Sequence, residues 1–220
     1  MPGGDFQRER ERVAVSARRL AADGLVTGTA GNVSARAGER VVVTPTGARL
    51  EDVTAEQIAL VDLDGEQVGG DLAPTSELEL HLRIYRRLDA GAVVHSHARF
   101  ATAVACVLDE LPVVHYQMLA LGGPIRVAPY ATFGTPELAE LTLKALDGRS
   151  AALMANHGAI AYGPDLDTAM EHALLLEWAC ELYWRASALG TPRTLGRSDQ
   201  LAFVETVSRR GYGITRRSES

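Results

Sequence analysis

Apolar positions along this chain change their spacing repeatedly, and each change marks an element. Gln7 to Asp23 reads as a helix closed by Gly24, after which "GLVTGTAGNVSAR" forms a glycine-rich turn entering a strand. "RVVVTPTG", Arg40 to Gly47, is a β-branched strand that stops at Pro45, and "IALVDLDGEQVGG" gives two short strands joined around Asp64-Gly65. A helix from Ser76 to Leu88 precedes the apolar run "VVHSHARFATAV", which predicts a buried strand and then a helix from about Ala98 to Leu108. Strand, loop and helix alternate through "IRVAPYATFGTPELAELTLKAL". "SAALMANHGAIAYG" reads as two buried strands meeting at Asn156-His157-Gly158. A long helix from Asp165 to about Leu189 and a last one near Ser198 to Arg210 lead to a polar tail from about residue 214. Short, hairpin-linked strands between helices predict a layered α/β fold with a largely antiparallel or mixed sheet flanked by helices.

Composition narrows the function. The 220 residues, 46% hydrophobic and 23% charged, suit one domain with a full core over 1–220. A formal charge of −6 with dispersed Lys and Arg leaves no basic stripe, which argues against nucleic acid as a partner. The first residues show no signal-peptide pattern and no run approaches a membrane span, so a cytoplasmic protein with no membrane partner is expected. Cys106 and Cys180, far apart and outside any CxxC spacing, are expected to be free, packed thiols.

Two imidazoles in a buried strand need an explanation. His95 and His97 are two residues apart, about 6.6 Å along a strand and on one face. A pair kept for packing would need a hydrogen-bond partner for each ring where polar groups are costly, whereas one divalent cation would satisfy both. His157 in "ANHGAI" adds a third imidazole, and three histidines on rigid strands match the ligand set of a catalytic zinc with its fourth position open.

A carboxylate is suggested by "APTSELELHLRIY". Ser76 and Glu79 have the spacing of a helix-capping box, which puts Glu77 at the first helical position. There it could bind a metal or take a proton, or be a plain exposed first-turn residue. His81, one turn on, is read as structural. "GTAGNVS", "TPTG" and "PTSE" combine small residues, hydroxyls and backbone N–H groups that suit an anion such as phosphate.

The ordered set "GTAGNVS", "TPTG", "PTSE", "VVHSHA", "HY", "APYATFGT" and "NHG" resembles the class II zinc-dependent sugar-phosphate aldolases, most of all those acting on L-fuculose 1-phosphate, from about residue 10 to 213. The resemblance implies a three-layer α/β/α fold around a largely antiparallel sheet, assembled as a homotetramer with shared active sites. It implies Zn2+, or Mn2+ or Co2+ in its place, on His95, His97 and His157. Glu77 becomes the acid/base carboxylate and a further ligand when substrate is absent. Phosphate contacts fall on Thr29, Gly31, Asn32, Thr46, Gly47, Thr75 and Ser76, and a catalytic tyrosine reaching into the neighbouring subunit falls on Tyr116. Phe133 and Tyr212 match residues of the aldehyde pocket. Asn156 stands where the family often has a second histidine, and little effect is expected from it.

The implied reaction is reversible cleavage of a ketose 1-phosphate, such as L-fuculose 1-phosphate, into dihydroxyacetone phosphate and a short aldehyde such as L-lactaldehyde. 5-Deoxyribulose 1-phosphate would need the same residues. The same fold also serves L-ribulose-5-phosphate 4-epimerase, methylthioribulose-1-phosphate dehydratase and the non-catalytic adducin head. Glu77, where the epimerases carry aspartate, favours the aldolase.

Overall fold

A computed structural model describes residues 6–210. Its centre is a sheet of nine strands: β1 (Asn32–Ala37), β2 (Arg40–Val43), β3 (Ala59–Asp62), β4 (Gln67–Gly69), β5 (Ala92–Ser96), β6 (Glu110–Leu111), β7 (Ile125–Ala128), β8 (Ala151–Met154) and β9 (Gly158–Gly163). They lie in the order β4-β3-β2-β1-β5-β9-β8-β7-β6. Every neighbouring pair is antiparallel except β7 and β8.

Side chains alternate across each strand, and here both faces are buried, which is why the strands read as unbroken apolar runs. Val42, Val94, Ala159 and Ala161 face one core, with Leu20 and Leu176; Val41, Val43, Val93 and Ile160 face the other, with Ile84 and Leu138. The first core is covered by α1 (Gln7–Ala22), α3 (Arg99–Ala105) and α5 (Leu166–Leu189). The second is covered by α2 (Leu78–Arg87) and α4 (Pro136–Ala145). Burying each large aliphatic chain contributes about 1.5–3 kcal/mol, so the two faces hold the layers together. The last helix, α6 (Arg197–Arg210), packs on a 3-10 turn at Tyr116–Leu121.

Local chemistry sets the helix ends. Asp165 accepts the amide of Thr168 at the start of α5, and Thr135 accepts that of Leu138 ahead of Pro136 in α4. The capping box expected at α2 is absent. Helix α2 begins at Leu78, with Glu77 before it, and Glu79 pairs with Arg83 and Arg86 instead of reaching back. Glu77 itself is the N-cap, with no side-chain cap bond, and the hydroxyl of Thr75 accepts the Glu77 amide at 3.3 Å in the turn ahead of the helix. Both cysteines are free, but only Cys180 is packed; Cys106 is exposed at the end of α3, where the helix leaves the core. The short β6 was not anticipated, because a two-residue strand carries no periodicity. Among the described residues no helix is long and apolar enough to cross a membrane.

Candidate active site

The three histidines arrive from two adjacent strands. His95 is the penultimate residue of β5, opposite Asn32 on β1 and Ile160 on β9. The strand ends at Ser96, and His97 follows it, its amide donating to the Leu25 carbonyl at 3.0 Å. His157 sits in the turn between β8 and β9, preceded by Asn156 in the left-handed region at φ 55°. The rings close into a triangle with centroids 4.8, 5.0 and 5.0 Å apart, each pair edge-on.

Glu77 meets this triangle from the start of α2. Its Oε2 is 3.0 Å from His95 Nε2, and its Oε1 is 3.3 Å from His157 Nε2 with no hydrogen bond. One ligand atom from each of Glu77, His95, His97 and His157 fits within a 4.8 Å group. Four ligands around a tetrahedral zinc at about 2.0–2.1 Å would stand about 3.3 Å apart, so the spacing fits a metal.

Protons make the same argument. His95 Nδ1 faces the Ala159 carbonyl at 2.9 Å and can only donate to it. The ring's Nε2 therefore faces His97 Nε2, 3.0 Å away, and the Glu77 carboxylate. Three imidazole nitrogens and a carboxylate converge on one point, and a cation there would satisfy all of them. Burial works to raise the pKa of Glu77, but the charge of His95 and the polar contacts of His157 and His95 outweigh it and hold the carboxyl far below its usual range. Burial, with His95 and His157 beside it, lowers His97 to about 4.

The group lies at the base of a cleft of about 360 Å³. Of the expected phosphate residues, Thr29, Gly31, Asn32, Thr46, Gly47, Thr75 and Ser76 all line it, as do Glu77, His97 and His157. Gly31 is required there: at φ +88° a β-carbon would come 2.6 Å from Val26 Cγ1 and 3.1 Å from the His95 carbonyl. Asn32 is 4% exposed, and its amide faces Glu77 on one side and His81 on the other. Phe133 stands on the rim, joined by Tyr130, which sequence reasoning did not single out. Asn156 also lines the cleft. Tyr116 is elsewhere: its ring packs on His115 and Phe203 at the foot of α6, and it is not among the residues lining the cleft. Tyr212 lies outside the described residues.

The fold with two covered faces carries a Glu/His3 group that could hold a metal ion, beside an anion-suited cleft. The chain matches the model of the Class II Aldolase and Adducin N-terminal domain family over residues 11–184, and it belongs to that family. It is 40% identical over 207 residues to the 5-methylthioribulose-1-phosphate/5-deoxyribulose-1-phosphate aldolase of Rhodospirillum rubrum, covering 93% of each chain. It is 41% identical over 183 residues to the L-fuculose phosphate aldolase of Escherichia coli, covering 82% of this chain and 85% of that protein. A solved L-fuculose 1-phosphate aldolase superposes with a TM-score of 0.88 at 32% identity, over 94% of this chain and 98% of that one. The chain is a class II aldolase, close to the L-fuculose-1-phosphate aldolases.

Proposed function

We propose that this enzyme cleaves a ketose 1-phosphate reversibly into dihydroxyacetone phosphate and a short aldehyde, with Zn2+ held by His95, His97 and His157. The observation that carries the proposal is the convergence of those three imidazoles and Glu77 at the base of one anion-suited cleft. The cation would supply Lewis-acid stabilisation of the negative charge that develops on substrate oxygens as the carbon–carbon bond breaks.

The chain's own residues do the rest. Thr29, Gly31, Asn32, Thr46, Gly47, Thr75 and Ser76 bind the phosphate, remote from the reacting bond, and that binding energy sets the reacting carbon beside Glu77. Loss of the C4 hydroxyl proton and cleavage of C3–C4 leave the electron pair on the carbon next to the ketone. Glu77, after taking up a proton from solvent, delivers it to that carbon, and in synthesis removes it. In cleavage the C4 hydroxyl proton passes to Tyr116 of a neighbouring subunit, which returns it to the aldehyde oxygen in synthesis, in a homotetramer whose sites are shared. Phe133, with Tyr130 and Ala131, borders the aldehyde.

This aromatic and apolar rim suits an aldehyde with an apolar end. It supports 5-deoxyribulose 1-phosphate or its 5-methylthio counterpart, the substrates named for the relative that covers 93% of the chain. L-Fuculose 1-phosphate is the second reading, supported by the fold match. The test is to incubate the zinc-loaded enzyme with each of the three phosphates and identify products by NMR. Dihydroxyacetone phosphate plus acetaldehyde, methylthioacetaldehyde or lactaldehyde names the substrate. An epimer or a dehydrated ketone instead would refute the aldolase proposal, and a fully active metal-free protein would refute the zinc.

A further inference from the structure

Behind Glu77 runs one buried chain of polar groups. Glu77, His81 and Tyr85 are spaced four apart along the start of α2 and its first turns, so they share a stripe, while Asn32 and Ser34, two apart on β1, share the sheet face beneath it. His81 Nε2 is 2.5 Å from Asn32 Oδ1, and Asn32 Nδ2 is 3.0 Å from Glu77 Oε2. On the other side His81 Nδ1 is 2.7 Å from Ser34 Oγ, which is 2.7 Å from the Tyr85 hydroxyl. All five residues are buried, His81 completely.

Chemistry fixes the direction of every bond in this chain. An ionised carboxylate only accepts, so the Asn32 NH2 group must face Glu77 and its carbonyl must face His81. His81 must then donate from Nε2. Burial and the charge of His95, against the opposing charge of Glu77, hold the ring's pKa to about 3, so it is neutral and its Nδ1 is an acceptor. That nitrogen accepts the Ser34 hydroxyl, and Ser34 accepts the Tyr85 hydroxyl. Reversing the Asn32 amide would set an oxygen against the carboxylate, and the Nε2 proton of His81 is what opposes that reversal.

We propose that His81 is a positioning residue for Glu77: its Nε2–H locks the Asn32 amide, which in turn holds Oε2 of the carboxylate beside His95 and leaves Oε1 without a hydrogen bond. A histidine kept for packing would need only to be satisfied. This one sits at the middle of a one-way chain that ends on the group assigned the proton transfer, and the inference rests on that assignment.

The test separates hydrogen-bond geometry from turnover. In wild-type protein labelled with 15N-histidine, the His81 resonances should report a neutral ring protonated at Nε2 at pH 7. A proton on Nδ1, or a charged ring, overturns the proposal whatever substrate the enzyme takes. In kinetics, His81→Phe keeps the ring volume without the donor, and His81→Gln restores an N–H near the Nε2 position. With metal content matched to wild type, His81→Phe should lose about 10-fold or more in kcat with KM within about twofold, and His81→Gln should recover most of the loss. Wild-type kcat in His81→Phe overturns the proposal, as does an equal kcat loss in both variants or a loss confined to KM. A crystal structure of His81→Phe with Asn32 and Glu77 unmoved overturns it independently of activity. If His81→Phe does not fold, the tautomer and the kcat of His81→Gln decide. If wild type cleaves none of the three phosphates, the substrate reading fails while the tautomer still judges the geometry.

Discussion

Gly158 lies so close to Ser96 that a β-carbon on it would stand 2.3 Å from the Ser96 carbonyl oxygen. The obstacle is backbone, so it cannot swing aside, and the strands carrying His95 and preceding His97 would have to part from the turn carrying His157. Gly158→Ala should therefore destabilise the protein by about 1–3 kcal/mol and weaken metal binding in the same variant. Denaturant unfolding of the apoprotein and metal competition against a chelator measure the two effects. Wild-type values in both would show that β5 and β9 tolerate the added methyl.

Glu77 is assigned proton transfer rather than essential metal binding. Glu77→Gln should retain most of its bound metal yet lose at least about 100-fold in exchange of the carbon-bound proton of dihydroxyacetone phosphate with solvent. NMR in deuterated water follows this exchange without any aldehyde. Exchange at the wild-type rate in the variant would remove Glu77 from the mechanism.

Burial and the His95 charge, partly offset by Glu77, hold His81 at about 3, against 6.5 for a free ring. The unfolded chain therefore takes up a proton below pH 6.5 that the native protein refuses. Stability from this group is complete above 6.5 and declines as pH falls from 6.5 toward 3, at up to about 1.4 kcal/mol per pH unit. Between pH 7.5 and 5.5 the apoprotein should lose about 1 kcal/mol more than His81→Gln, as read from urea midpoints. Parallel pH dependences in the two proteins would mean that His81 titrates normally.

A shared site can be tested by mixing. A His97→Ala subunit lacks a metal ligand but still offers Tyr116, whereas Tyr116→Phe holds metal but offers no phenol. Refolding the two together should give activity above the parental average, because some complete sites then arise from two half-competent chains. The parental average alone, with mixed oligomers confirmed by native mass spectrometry, would place Tyr116 in its own subunit's site or in none.

Much of this was legible because strong periodicity and metal ligands both leave local marks. His157 before a glycine and the long helix now seen as Leu166–Leu189 stand where the sequence puts them, while His97, read as sharing a strand face with His95, lies just past the end of β5 yet still joins the same group. The capping box failed because S-x-x-E records only spacing, and the helix starts one residue later than that spacing places it, with Glu77 rather than Ser76 at its N-cap. The role of His81 was hidden for a different reason. Its partners, Asn32 and Ser34, are more than forty positions away and meet it only when β1 lies under α2. Tyr116 packs against Phe203, a contact no local pattern encodes, and Cys106 is exposed because α3 ends there.

The strand order has a consequence for the life of the protein. Asn32, Glu77, His95 and His157 come together only after β1, β5 and β9, distant in sequence, have become neighbours. Such non-local pairings form slowly and leave unfinished chains exposed to aggregation and proteolysis. A metal that binds only the finished arrangement draws the population toward it, by about 2.7 kcal/mol when free metal is 100 times its dissociation constant. Scarcity of the metal would then shorten the survival of newly made chains as well as slow the chemistry of mature ones.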